Sequence, residues 1–270
     1  MSTAIFEVAC SIPSRIGELS RLTQLAASER TRSEESFNTL CRACSVLLAS
    51  HLEGFLKDLS RSVSTDLNFY LKSFSSMPEA LKRSFCEKIA FYEGVSTAEI
   101  NQRVTQLVAF FSTNSVNIDL YAFKYKENQN RNAGPDVIDA SLAKLGIPSV
   151  LNSMKDSVLE NVFKNDVGAT HRTLRDLRRF RSYLFRYPYK SLPDKYKFDF
   201  KSSRSSLKEG GSSLWHAFIE EVMQRRHRIA HGDTLENDAD EKILARDIEK
   251  LDVLMHGMLF AVTTFLTKSG

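Results

Sequence analysis

An apolar stripe running from Phe37 to Leu59 constrains this chain more than any other feature. Phe37, Leu40, Cys41, Cys44, Leu47, Leu48, Leu52, Phe55, Leu56 and Leu59 recur at three- and four-residue steps, a period held for about seven helical turns. A strand cannot use that period, because its side chains switch faces at every residue. The stripe therefore predicts an amphipathic helix over about residues 34–59. Glycine (11) and proline (6) are both scarce in the 270 residues, as long helices require.

The same period recurs along the chain. Residues 12–28 read as a helix with Ile16, Leu19, Leu22 and Leu25 on one side. A serine before Pro78 and the stop at Gly94 bracket another, and 96–112 follows with Thr97 and Glu99 in its first turn. Residues 116–123 alternate enough for a short strand or an extended loop. A polar loop leads to a helix from Pro135 that stops at Gly146-Ile147-Pro148, and 149–163 reads as one further amphipathic helix. A basic helix covers 170–185, after which Pro188, Pro193, the serines and Gly210-Gly211 mark a connector. A helix from about 213 stops at Gly232, and the last starts near Asn237, with Leu244, Ile248, Leu251 and Leu254 on its apolar face. The expected fold is all-α and a single domain over 1–270. Two N-terminal helices (12–62) and two C-terminal ones (213–268) form a four-helix core, 77–170 is a helical elaboration, and 171–211 is a basic, aromatic-rich segment.

No stretch reaches about 18 uncharged apolar residues, so no membrane span is expected. The most apolar run, near the C-terminus, is interrupted by Asp252 and His256. The N-terminus lacks the basic and apolar regions of a signal peptide, so a cytoplasmic location is expected. Cys10, Cys41, Cys44 and Cys86 contain no second C-x-x-C pair that would complete a zinc site, and read as buried small hydrophobes.

Charge is unevenly spread. The whole chain carries +4, yet residues 171–208 hold twelve Lys and Arg against three Asp, a local surplus of nine positive charges. That asymmetry points to a polyanionic partner. Eight Phe and Tyr interleave with these cations between Phe180 and Phe200. Two readings suit them: stacking on single-stranded bases, or pinning a loop to the core. Arg178, Arg179, Arg181, Arg186 and Lys190 are the candidate RNA contacts of the segment.

The stretch QRRHRIAHGD, residues 224–233, is the candidate site. Arg226 and His231 are five apart, about 140° around a helix axis. One helix cannot aim both at one atom, but two copies of the helix can. Imidazole titrates near neutrality, and the planar guanidinium fork suits phosphate. The competing reading is a helix end whose cations favour the helix dipole. His227 and His231 have the spacing of a helical metal pair, but no third ligand announces itself beyond Asp233 or Glu53. No metal or cofactor is expected.

RHRIAHG, Arg226 to Gly232, resembles the signature of the HEPN superfamily, with His227 at its polar position. LLASHLEGFLKDL resembles that family's early acidic helix, which places Glu53. Residues 33–62 and 213–268 carry the likeness, and the chain is similar to stand-alone bacterial RiboL-PSP and MAE-type HEPN proteins. The resemblance implies a homodimeric, metal-independent endoribonuclease, a toxin or antiviral effector, with Arg226, His227, His231 and Glu53 as catalytic residues. Arg225 and Arg228 would contact the RNA backbone. It also leaves room for a catalytically silent helper that binds RNA or nucleotide, and for an antitoxin or effector protein as partner.

Overall fold

The computed structural model describes residues 2–71, 73–77, 79–114, 116, 134–143, 147, 149–164, 166–196, 198–200, 213–232 and 239–268. All but the first residue of the expected strand or loop at 116–123, most of the loop before Pro135, the Gly146 and Pro148 stop, Gly210-Gly211 and Asn237 lie outside them. No strand occurs among the described residues. The protein is all-α.

Helix α1 spans Ala4–Glu29 and α2 spans Glu34–Tyr70. The short connection sets them side by side and antiparallel. Ser33 caps α2 by accepting the Ser36 N–H, and Glu34 and Glu35 complement the dipole of its first turn. The helix runs past the expected end at Leu59. Val63, Asp66 and Leu67 keep the buried face, although the intervening Ser, Thr and Asn residues are weak helix formers; tertiary packing overrides propensity here.

Helix α1 likewise begins eight residues before the expected start. Pro13 sits inside it and has no N–H for the Ala9 carbonyl four residues back. Arg181 donates to that carbonyl instead, at 3.5 Å. At the N-terminus, Thr3 accepts the Phe6 N–H. Asp66, 3% exposed, accepts the Ala4 and Ile5 N–H groups at 2.7 and 3.0 Å. The last turns of α2 thus cap the first turn of α1.

Helices α3 (Glu79–Ala90) and α4 (Thr97–Thr113) pack on each other around Phe74, Phe85 and Phe111, whose ring centroids lie 5.4–6.0 Å apart. Next come α5 (Pro135–Ala143), the single turn α6 (Val150–Ser153) and α7 (Val167–Phe180). The expected helix over 149–163 is broken. After α6 the backbone turns through Asp156 at φ 57° and resumes as a 3-10 helix, Val158–Lys164. Ser153 and Ser157 donate back to the carbonyls of Val150 and Met154, and Glu160 accepts the Asp156 N–H. Such local bonds compete with a continuous helix.

Helices α8 (Leu214–His231) and α9 (Glu241–Lys268) complete the core. α9 packs on α1, α2 and α7, and α8 packs on α2, giving the four-helix arrangement expected from the apolar stripes. By length and composition α9 could cross a membrane, with a mean hydropathy of 1.2, but 78% of its apolar window is buried inside the protein. Its apolarity is accounted for by the core. Cys41, Cys44 and Cys86 are buried and Cys10 is exposed. Burial pushes the Cys86 thiol up to about 11.

Asp66 also accepts a bond from the Tyr189 hydroxyl at 2.8 Å. Asp66→Ala therefore strands two backbone donors and a buried phenol, and should lower unfolding free energy by about 2 kcal/mol. Tyr189→Phe removes one of the three partners and should cost about 1 kcal/mol. Urea denaturation of both variants checks the order.

Candidate functional site

Helix α8 is set rotationally by its buried face. Trp215, Phe218, Ile219, Val222 and Met223 lie in the core, and Arg225 continues that face at 4% exposed. Its guanidinium donates to Asp247 on α9 and to Glu221 one turn back, both at 2.8 Å. Asp247 is 2% exposed and also takes Lys250 at 3.1 Å. Arg225 was expected to contact RNA; the structure instead commits it to a buried ion pair, because the helical period turns it inward.

At 100° per residue, an inward Arg225 sends the next residues outward in order. Arg226 is half-buried on the flank, and His227, Arg228 and His231 are exposed. The His227 and His231 rings lie 4.2 Å apart, tilted by 51°. Gly232 ends the helix at φ 71°, its N–H bonded to the carbonyls of Arg228 and Ile229. A side chain would be strained in that conformation. The stop leaves His231 in the final turn, at the edge of the bundle. Among the described residues no group of three or more His, Cys, Asp or Glu is placed to hold a metal. Asp233 lies outside them.

Glu53 is half-buried on α2, between the fully buried Leu52 and Phe55. Its neighbours face α1: His51 lies 3.1 Å from Glu18, and Arg15 lies across Gly54. Among the described residues no hydrogen bond or ion pair joins Glu53 to His231. Within one chain, then, the structure brings the two histidines together and does not join Glu53 to them.

The basic segment divides by residue type. Its aromatics turn inward. Tyr189 and Tyr196 are 3% exposed and Phe198 is 4% exposed. Tyr187 stacks on Tyr70 at 4.7 Å, and Phe200 meets Phe265 at 5.3 Å. The Tyr196 hydroxyl donates to Asp176 at 3.1 Å. Phe185 stays exposed, edge-on to Phe6. Packing therefore claims nearly all the rings that base stacking would need.

The cations split. Arg178 donates to Asp252 at 2.6 Å, and Asp252 also meets His256 at 3.0 Å. The two polar residues that interrupt the apolar run of α9 thus meet in the core, and Arg178 ties α7 to them. Arg181 bonds the carbonyls of Arg178 and Ala9. Arg178 and Arg181, expected on RNA, are both tied to the protein. Arg179, Arg186 and Lys190 are exposed. Lys197, Lys201, Arg204 and Lys208 lie outside the described residues. Burial alone would raise the Asp252 carboxyl; the hydrogen bond and charge of His256, and those of Arg178, outweigh it and hold the group below the usual carboxylate range.

A model of the RiboL-PSP-HEPN family matches residues 11–258 of the chain. No curated protein and no solved structure matches it.

Arg225→Ala leaves Asp247 buried and should lower stability by about 3 kcal/mol, whereas exposed Arg179→Ala should stay within about 0.5 kcal/mol; thermal melts of the two separate a packing arginine from a surface one. For Asp252 the folded carboxyl titrates below its unfolded value of about 3.9. Its contribution is therefore complete above that value and is lost as pH falls through the folded one. Urea midpoints measured from pH 6 downward should drop on the acid side, and Asp252→Asn should flatten that limb.

Proposed function

The chain belongs to the RiboL-PSP-HEPN family, which places it in a ribonuclease-like or RNA-binding class, and from that premise we propose that it is a metal-independent endoribonuclease acting as a homodimer. The observation that carries this reading is the end of α8. Exposed His231 stands against His227 in the last turn, with Arg226 on the adjoining flank.

In the proposed reaction the RNA 2′-hydroxyl attacks the adjacent phosphorus and the 5′-oxygen leaves. The products are a 2′,3′-cyclic phosphate and a 5′-hydroxyl. His231 takes the 2′-hydroxyl proton as the new P–O bond forms, and the departing 5′-oxygen takes up a proton from solvent as the P–O5′ bond breaks. Arg226 of a second copy lies against the non-bridging oxygens, where charge develops. His227 holds the His231 ring, and Glu53 orients one of the pair across the dimer. DNA is refused, because it lacks the attacking hydroxyl. Exposed Arg228, Arg179, Arg186 and Lys190 hold the RNA backbone. The biological setting in this reading is a cytoplasmic bacterial toxin or antiviral effector, restrained or triggered by a partner protein. One observation favours a non-catalytic RNA-binding role instead: among the described residues no hydrogen bond or ion pair joins Glu53 to His231 within a chain.

The test separates the two readings. Purified protein should cut single-stranded RNA in the presence of EDTA, and His231→Ala should reduce the rate by about 100-fold or more. Arg226→Ala chains mixed with His231→Ala chains should recover about a quarter of wild-type activity, since half of the dimers then hold one intact site of two. No recovery on mixing would defeat the shared site, and no cleavage by wild type would leave only the binding role.

A further inference from the structure

The cleft between α1, α7 and α9 belongs to neither the α8 motif nor the sealed core. It encloses about 500 Å³, within the range of small-molecule sites. Helix α9 lines it with Ala245, Ile248, Glu249 and Asp252. Asp247 and Lys250 of the same helix face α8, the first on Arg225 and the second over the Phe218 ring. At 100° per residue these two sets fall on opposite sides of α9. The cleft is thus separated from His227 and His231 by at least the width of a helix, about 10 Å.

Its walls differ in chemistry. Ile16, Leu174 and Ile248 form an apolar floor. The Ser20 hydroxyl donates to the Ile16 carbonyl at 2.9 Å, which leaves its oxygen to accept; the Thr23 hydroxyl donates to the Leu19 carbonyl and also meets the buried Cys44 thiol at 3.3 Å. Gln24 is exposed at the edge and offers an amide with two donors and an acceptor. Among the lining cations, Arg178 is engaged by Asp252 at 2.6 Å, and His171 stands 3.5 Å from Glu249. Arg175, one turn after His171 on the same face of α7, is exposed and has no ion pair among the described residues.

An apolar floor, a two-way amide edge, accepting oxygens and one uncommitted guanidinium match a flat polar-edged ring that carries an anion. We propose that this cleft binds a nucleotide unit, its base on the Ile16–Leu174–Ile248 floor with an edge against Gln24, and its phosphate on Arg175. The guanidinium gives phosphate two parallel charge-assisted bonds. Glu249 and the Ser20 oxygen accept from the amino or hydroxyl groups of the ligand. The unit is either a free mononucleotide or one nucleotide of an RNA strand; the recognition chemistry is the same. The site is separate from cleavage and would hold whether or not the α8 motif is catalytic.

The test is calorimetric titration of full-length His231→Ala protein, so that no RNA is consumed. The probes are AMP, GMP, CMP, UMP, inorganic phosphate and a short single-stranded RNA. At least one mononucleotide or the RNA should bind, more tightly than phosphate alone. Arg175→Ala and Gln24→Leu should each weaken it at least tenfold with unchanged circular dichroism and melting temperature. RNA binding at least tenfold tighter than any mononucleotide, with the same Arg175 dependence, identifies a strand as the source; equal affinities identify free nucleotide. Binding that ignores both substitutions, binding no tighter than phosphate, or no binding at millimolar concentration overturns the proposal. RNA cleavage by the wild-type protein would survive that result, and loss of cleavage would leave the titration intact, so the two readings fail separately.

Discussion

The buried pair between Arg225 and Asp247 fixes how α8 sits on α9, and with it what the motif can present. A charged side chain 4% exposed can be held there only by an equally buried partner. Once Arg225 points inward, the helical period leaves no freedom to its neighbours. Arg226 must take the flank, and His227 and His231 must share the outer face. Gly232 then stops the helix in a conformation suited to glycine, so that His231 ends at the rim. The same pair accounts for two adjacent arginines with different positions, Arg225 buried in the core and Arg226 half-buried on the flank.

A second set of buried polar groups holds the basic segment to the bundle. Asp66 joins the end of α2 to the start of α1 and to Tyr189. Asp252 joins α9 to α7 through Arg178, with His256 behind it. Both acids are almost fully buried; Asp66 accepts from two backbone N–H groups and a phenol, and Asp252 lies between the Arg178 guanidinium and the His256 ring, which is the kind of pairing that keeps a carboxylate in a core. Around these tethers the aromatics pack inward and the remaining cations stay out. The described part of the segment is therefore anchored to the bundle and bears Arg179, Arg186 and Lys190 outward.

Much of this was legible before any coordinates. The long stripe on α2, the scarcity of Gly and Pro, and the Gly232 stop gave the helices and the four that form the core. Boundaries failed where one residue's local rule met a tertiary answer. The first helix, expected over 12–28, begins at Ala4 and carries Pro13 inside it, where Arg181 takes the Ala9 carbonyl that the proline leaves open. The polar run after Leu59 argued for a helix end, but Val63 and Leu67 are buried. The single helix expected over 149–163 failed for the opposite reason, since its serines and Glu160 bond the local backbone. At the candidate site the residue types were readable and the partners were not. Nothing in the order of residues says that Arg225 meets Asp247, or that Gln24, Arg175 and Ile248 line one cleft. The i, i+4 placement of Asp252 and His256 in an apolar run was the one advance signal of a buried polar cluster.

What the sequence determined by itself is periodic and local: an all-α chain, its helix faces, a basic segment rich in aromatics, and an arginine–histidine motif at a helix end. Those follow from spacing, which the backbone geometry converts directly into faces. What the tertiary structure alone decided is which polar groups are spent on the protein and which remain for a ligand. That division depends on contacts between residues far apart in the chain, and the free energy of a buried charge is set by the partner it finds there, not by its neighbours in sequence.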